Sequence, residues 1–253
     1  MEVRAEAAEG FGLMKGRMEM IQTIKADERH FSDFGWLQTY WLFSFDNYYD
    51  PANVQFGSLR VFNDDVVAAQ SGFPTHPHRE MEIVTIVLRG AVTHKDSMGN
   101  DTVIGAGEVQ RMSAGTGVAH SEHNLGDEPL HLYQIWILPG ERRLTPSYDQ
   151  KRFDAAARRN RLLPVASGQD ANGAVSMHTD ATIYMADFDA GHATDYDLAD
   201  GRGAFIYVTE GGLRVNDARL AAKEQARIKG ERRLQLAADD QASFILIDVP
   251  LNK

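Results

Sequence analysis

The sequence predicts an all-β protein made of two β-barrels in tandem, joined by a short helical linker. Three observations lead to this class. Apolar, strand-like runs end in glycine or proline turns at intervals of roughly ten residues. Clear helical periodicity is confined mainly to residues 149–163. The second half of the chain repeats the order of the first.

The elements follow in order. Residues 82–96 (EIVTIVLRGAVTHKD) read as an apolar strand, a break at Arg89-Gly90, and an alternating strand. Residues 97–100 (SMGN) supply turn chemistry. Residues 131–139 (HLYQIWILP) alternate and stop at Pro139. The alanine- and arginine-rich stretch DQKRFDAAARRNRLL, residues 149–163, reads as the linker helix, between Pro139-Gly140 and Pro164. Beyond it the pattern returns: VLRGAV (87–92) corresponds to VTEGGL (208–213), IGAGEVQRM (104–112) to LAAKEQARI (220–228), and YQIWILP (133–139) to FILIDVP (244–250). Three matches in one order indicate a duplicated barrel.

Composition narrows the function classes. The 253 residues carry a formal net charge of −10, which repels phosphate backbones, so direct nucleic-acid binding is not expected. The basic run at residues 151–161 reads as a solvated face. Cysteine is absent, which excludes disulfides, a thiolate nucleophile and sulfur-ligated metal. No apolar run approaches the roughly 20 residues a bilayer span needs, so no membrane partner is expected. Residues 1–20 lack an apolar core before a cleavage site and read as a flexible extension rather than a secretory signal, which makes the cytoplasm the expected location.

The chemistry concentrates in two short stretches. In FPTHPHREMEIV (73–84), His76 and His78 flank Pro77; in AGTGVAHSEHN (114–124), His120 and Glu122 have the same one-apart spacing. On an extended strand, residues two apart point to the same side. Two strands could therefore bring three imidazoles and a carboxylate to one point inside a barrel. That donor set suits a first-row divalent ion such as iron, manganese, nickel, copper or zinc. The histidines do not repeat: the equivalent positions in the second half are Asp197 and Ala199. Any metal chemistry belongs to the first half.

Residues 72–90 resemble the first cupin motif, with His-x-His, Glu82 and Gly90, and residues 115–124 resemble the second, with His120 and Asn124. FSFDNYYDP (43–51), LRVFNDD (59–65), HPHREMEIVT (76–85), HKDSMGN (94–100), QRMSAGTGVAHSEHN (110–124) and LHLYQIWILP (130–139) are more specifically similar to the pirin family. The resemblance implies two cupin (jelly-roll-like β-barrel) domains with one metal in the first. It implies His76, His78, His120 and Glu122 as ligands, whereas generic cupins would take the carboxylate from Glu82. It implies quercetin 2,3-dioxygenase activity on a flavonol-like substrate with O2, with Glu122 also taking the substrate's proton. One divalent transition ion is implied, iron first, with Zn, Mn, Ni, Cu or Co as alternatives. The other function the family suggests is a metal-containing protein-interaction or regulatory module with a protein partner. An open aromatic cavity reaching the metal, with methionines such as Met112, would favour the enzyme.

The expected organisation is a flexible extension at residues 1–20, a metal-binding cupin domain at 21–145, a linker with helix at 146–164, and a second cupin domain without metal ligands at 165–253. Several residues take ordinary expectations. His94 is expected exposed on a hairpin, and His123 and His131 outside the cluster. Trp36, Trp41, Phe43 and Phe45 are expected in the core. Ser121 should face away from its neighbours, and Asn124 should serve a turn.

Overall fold

The computed structural model describes residues 20–252. The extension expected at residues 1–20 lies, Met20 aside, outside the described residues. The chain is nearly all β, with short 3-10 turns at Ala26–Glu28 and Ala155–Arg158.

Strand β1 (Ile21–Ile24) comes first. β2 (His30–Asp33), β3 (Leu37–Trp41), β4 (Leu59–Val67) and β5 (Ser71–His78) lead into the first histidine pair. β6 (Glu82–Arg89), β7 (Ala91–Asp96), β8 (Asp101–Gly105) and β9 (Glu108–Ser113) follow. β10 (Val118–Asn124), β11 (Leu130–Ile137) and β12 (Ser147–Arg152) finish the first half. Seven of these strands form one sheet in the order β12-β9-β6-β11-β4-β3-β2, and four form a second, β5-β10-β7-β8.

The second half runs from β13 (Leu163–Ser167) and β14 (Val175–Ser176) to β15 (Thr182–Phe188) and β16 (Ala193–Asp197). β17 (Arg202–Val215) is the longest strand. β18 (Ala218–Ala221), β19 (Gln225–Lys229), β20 (Arg233–Ala237) and β21 (Ala242–Pro250) complete it. Its backbone path is β1-β19-β17-β21-β15-β13-β14, so β1, the first strand among the described residues, is an edge strand of the second half's sheet, with Ile21 opposite Ile228.

The linker helix is not there. Residues 147–152 pair along β9, with Tyr148 opposite Met112 and Gln150 opposite Gln110, and extend the first sheet. One 3-10 turn follows, and the Asp154 side chain caps it by accepting from the Ala156 N–H at 2.9 Å. Alanine and arginine are good helix formers, but propensity is a weak prior, and a ladder of inter-strand hydrogen bonds over residues 147–152 overrides it.

Strand β6 is buried on both faces, which explains its unbroken apolar run. One face packs against the second half. Phe62, Val84, Ile86, Ile135 and Tyr133 join Val165, Ile183, Phe205, Tyr207 and Ile247 in one continuous core. Phe62 and Phe205 lie 5.4 Å apart in a tilted pair, a geometry worth about 0.5–1.5 kcal/mol beyond area burial. The opposite face looks into the first barrel. The second barrel is filled by apolar side chains, among them Phe188, Ile206, Leu234 and Leu246. There Asp197 is exposed and sits beside Arg233.

Candidate metal centre

β5 and β10 are neighbours in the four-stranded sheet, with His76 opposite His120. Pro77 lies on β5, an edge strand, where its missing N–H breaks no internal ladder. A β-bulge between His120 and Glu122 shifts the register, so Glu122 faces Phe73. Gly72 allows the strands to approach this closely. A Cβ there would collide with the Glu122 carbonyl oxygen and the His123 Cα.

The three expected imidazoles meet. Ring centroids are 4.8 Å apart for His76 and His78, 4.5 Å for His76 and His120, and 4.9 Å for His78 and His120. Their donor atoms lie within 4.8 Å of one another. His76 Nδ1 donates to the Pro74 carbonyl at 2.8 Å, which leaves Nε2 with its lone pair free. His120 Nε2 is buried and has no partner. Burial, then the neighbouring His76, lowers the His78 pKa to about 4. Burial, then His76, His78 and His94, lowers that of His120 to about 2. The His78 and His120 rings are thus able to offer neutral nitrogen, the form that binds a cation. An orphaned buried nitrogen among three imidazoles fits a divalent ion.

Glu122 is set apart from His76 and His78. It groups with His120 and His94 instead, again within 4.8 Å, and shares His120 with the first cluster. A row of polar side chains crosses the large sheet beneath it. Asn63, Gln134, Thr85 and Gln110 stand in register on β4, β11, β6 and β9. Gln134 Nε2 donates to Glu122 Oε2 at 2.9 Å, and the Thr85 hydroxyl lies 3.4 Å from Oε1. Burial pushes the Glu122 carboxyl up to about 7; a bound cation would oppose that shift.

Glu82 has other partners. Ile83 and Thr85 point into the barrel, so the alternation of β6 turns Glu82 toward the second half. There its Oε2 accepts from the Ser113 hydroxyl at 3.0 Å and the His178 N–H at 3.1 Å. Ser121 and His123 share a shallow outer surface with Thr93 and Lys95, away from the imidazoles. Asn124 serves a turn, donating to Glu128 O and accepting from Gly126 N–H. His131 bonds Asp64 at 2.6 Å, outside the cluster.

His94 corrects its expectation. It is fully buried, its Nδ1 lies 3.4 Å from His120 Nδ1, and its Nε2 donates to Asp96 Oδ2 at 2.9 Å. Asp96 is in turn fixed by the N–H groups of Met98 and Asn100 and by the Asn100 side chain. The Asp96–His94 pair therefore leaves His94 Nδ1 as an acceptor, facing the Gln110 side-chain amide at 3.3 Å and the His120 Nδ1–H at 3.4 Å, and the latter contact turns His120 Nε2 toward the other imidazoles. His94→Phe is expected to weaken metal binding by about 10- to 100-fold without unfolding the protein, as measured by competition with a chromogenic chelator.

The site opens into a cavity of about 390 Å³, within the usual range for small-molecule sites. Phe34, Trp36, Trp41, Phe45, Phe73 and Trp136 line it, together with the three histidines, Glu122, Gln134, Asn63 and Asp65. Exposed Phe34, Asp46 and Pro74 mark its mouth. Two expectations change here. Trp36, Trp41 and Phe45 are cavity walls, while Phe43 does lie in the core. Met112 packs instead with Ile83, Ala114 and Val118. An apolar side chain reads the same in a core and in a cavity wall until the facing sheet is known. Asn63, Asp65 and Gln134 went unsuspected, although three consecutive polar residues inside the strand LRVFNDDVV were a visible signal.

Comparison with known proteins places this arrangement. The Pirin family profile matches residues 24–137, and the quercetinase C-terminal cupin domain matches residues 164–249. A protein of Escherichia coli K12 named quercetin 2,3-dioxygenase is 42% identical over 232 residues, covering 91% of this chain and 99% of the relative. A pirin-like protein of Caulobacter vibrioides is 41% identical, covering 90% and 99%. The crystal structure of the bacterial pirin YhhW from Escherichia coli in complex with nickel(II) superposes with a TM-score of 0.87 at 41% identity, covering 91% of this chain and 99% of that one. At this identity across nearly the whole length, the chain belongs to the pirin family.

Proposed function

We propose that this protein is a metal-dependent dioxygenase that opens a flavonol or a related enolisable phenolic with O2. The observation that carries the reading is the aromatic cavity ending on three imidazoles with a free buried nitrogen. The likeness to proteins named quercetin 2,3-dioxygenase supports it.

In this reading His76, His78, His120 and Glu122 hold one divalent ion, iron first, with nickel supported by the complex of the related YhhW. Such an ion supplies Lewis acidity that makes a phenolic hydroxyl ionise near neutral pH. Glu122 receives that proton at Oε1 on loosening from the ion, since Gln134 anchors Oε2. Trp41, Phe45 and Trp136, packed edge to face on one another, offer an apolar wall against which a planar ring lies shielded from water. The reaction then incorporates O2 into the anionic ring with loss of carbon monoxide. We place the protein in the cytoplasm; among the described residues no helix is long and apolar enough to cross a membrane. The alternative of a regulatory module with a protein partner is less favoured, because the cavity reaches the surface.

The test is an aerobic quercetin assay that follows loss of the flavonol absorbance. Activity is expected to vanish on complete chelation and to return with the added ion. Turnover that survives full metal removal overturns the reading.

A further inference from the structure

The cavity contains two hydrogen-bond acceptors that the proposed chemistry does not use. Asn63 and Asp65 stand two residues apart on β4 and line the cavity. Both are at least nine-tenths buried, at 4% and 3% exposure. Each leaves its Oδ1 without a partner. Trp136 Nε1, a donor, is likewise unpaired on the same cavity. Together with His120 Nε2, four orphaned polar atoms belong to residues of this one cavity.

Buried polar groups are almost always paired, because leaving one unmade costs free energy. A buried acid is more costly still. The relief from the neighbouring strands is partial: Thr39, opposite Asp65 on β3, interacts with the carboxyl but leaves Oδ1 unpaired, Leu132 is the residue opposite on β11, and Asp64 and Glu122 are both acidic. The neighbouring position along the strand is different again, since Gln134, opposite Asn63, is committed to Glu122. These acceptors therefore wait for donors brought by a ligand. The two positions are about 7 Å apart along the strand, the scale of one aromatic ring and its substituents.

We propose that Asn63 and Asp65 are specificity-determining residues that select planar aromatic ligands carrying hydroxyl donors on a ring remote from the metal-binding oxygen. The inference rests on the dioxygenase reading and narrows it to polyhydroxylated substrates. Asn63 and Asp65 accept hydrogen bonds from the remote hydroxyls, while the Trp136 N–H donates to an oxygen of the same ligand.

The chain's three tryptophans all line this cavity, so tryptophan quenching reports its occupancy directly. The metal-loaded protein is titrated without oxygen with two probes, quercetin and 3-hydroxyflavone, which lacks the remote hydroxyls. Wild-type protein is expected to bind quercetin at least about tenfold tighter, the effect of one good hydrogen bond. Asp65→Leu combined with Asn63→Leu is expected to bring the two affinities within about twofold while leaving 3-hydroxyflavone binding unchanged, which also shows that the variant is folded. Asp65→Asn alone, nearly isosteric, serves if the double variant fails to fold and is expected to narrow the preference. Equal affinities in the wild type, or a preference the variants preserve, overturn the inference while leaving the dioxygenase reading intact. Failure of both probes to bind overturns both. Selective binding with no turnover in air overturns the dioxygenase reading alone.

Discussion

His120→Ala is expected to empty the metal site, lowering affinity by more than about 100-fold, beyond the loss typical of a supporting residue. His120 belongs to both donor clusters, the one with His76 and His78 and the one with His94 and Glu122. Its Nε2 has no partner in the protein, and its Nδ1 faces His94. Removing the ring therefore takes away a ligand atom and cuts the link between the two clusters. Glu82→Ala is the matched comparison. Its carboxylate is engaged by Ser113 and the His178 N–H, so the ion should stay. Elemental analysis of the two purified variants decides between them. A loaded His120→Ala and an empty Glu82→Ala would move the carboxylate ligand from β10 to β6 and discard the site as drawn.

Asp64→Ala is expected to cost about 3–5 kcal/mol of stability, the penalty for breaking a buried ionic network from one side. Asp64 lies between Asn63 and Asp65 but faces the other way, into the junction of the two halves. Its Oδ1 accepts from His131 at 2.6 Å, and its Oδ2 accepts from the Tyr207 hydroxyl at 2.7 Å. Lys223 and Arg29 stand at 3.6 and 3.7 Å. Burial works to raise the Asp64 pKa, but His131, Lys223 and Tyr207 outweigh it and hold the carboxyl below its usual range. A carboxyl with a depressed folded pKa stabilises the protein above the unfolded value of about 3.9. That contribution is lost as pH falls through the lower, folded value. Wild-type stability should thus decline below about pH 4, and the Asp64→Ala variant should lack this component. Urea unfolding of both proteins at neutral and acid pH measures the two effects; equal midpoints at neutral pH would remove Asp64 from any structural role.

The sequence made the imidazole cluster legible because period-two spacing survives folding: His76 and His78 share a side, as do His120 and Glu122. The same rule could have found His94. It sits two residues beyond buried Val92 and two before Asp96, so it faces inward with both, yet its place next to a hairpin turn made it look exposed. Residues 149–163 misled for the opposite reason. Their local alanine preference was real, but the unpaired edge of β9 was invisible in sequence and claimed residues 147–152 as a strand. The aromatic cavity was hidden because its walls come from both sheets, and composition does not say which apolar side chains meet a neighbour and which meet empty space. The all-β duplication was readable because each half carries its own turns.

The pairing of β1 with β19 also bears on how the molecule is made. During synthesis the opening strand leaves the ribosome about 200 residues before its partner, and contacts so distant in sequence slow folding. Until the last strands emerge, residues 21–24 present an unsatisfied edge that invites wrong partners. Cutting the gene between the two repeats would not yield two independent modules: the leading piece would carry a stray ribbon, and the trailing piece would lack its border.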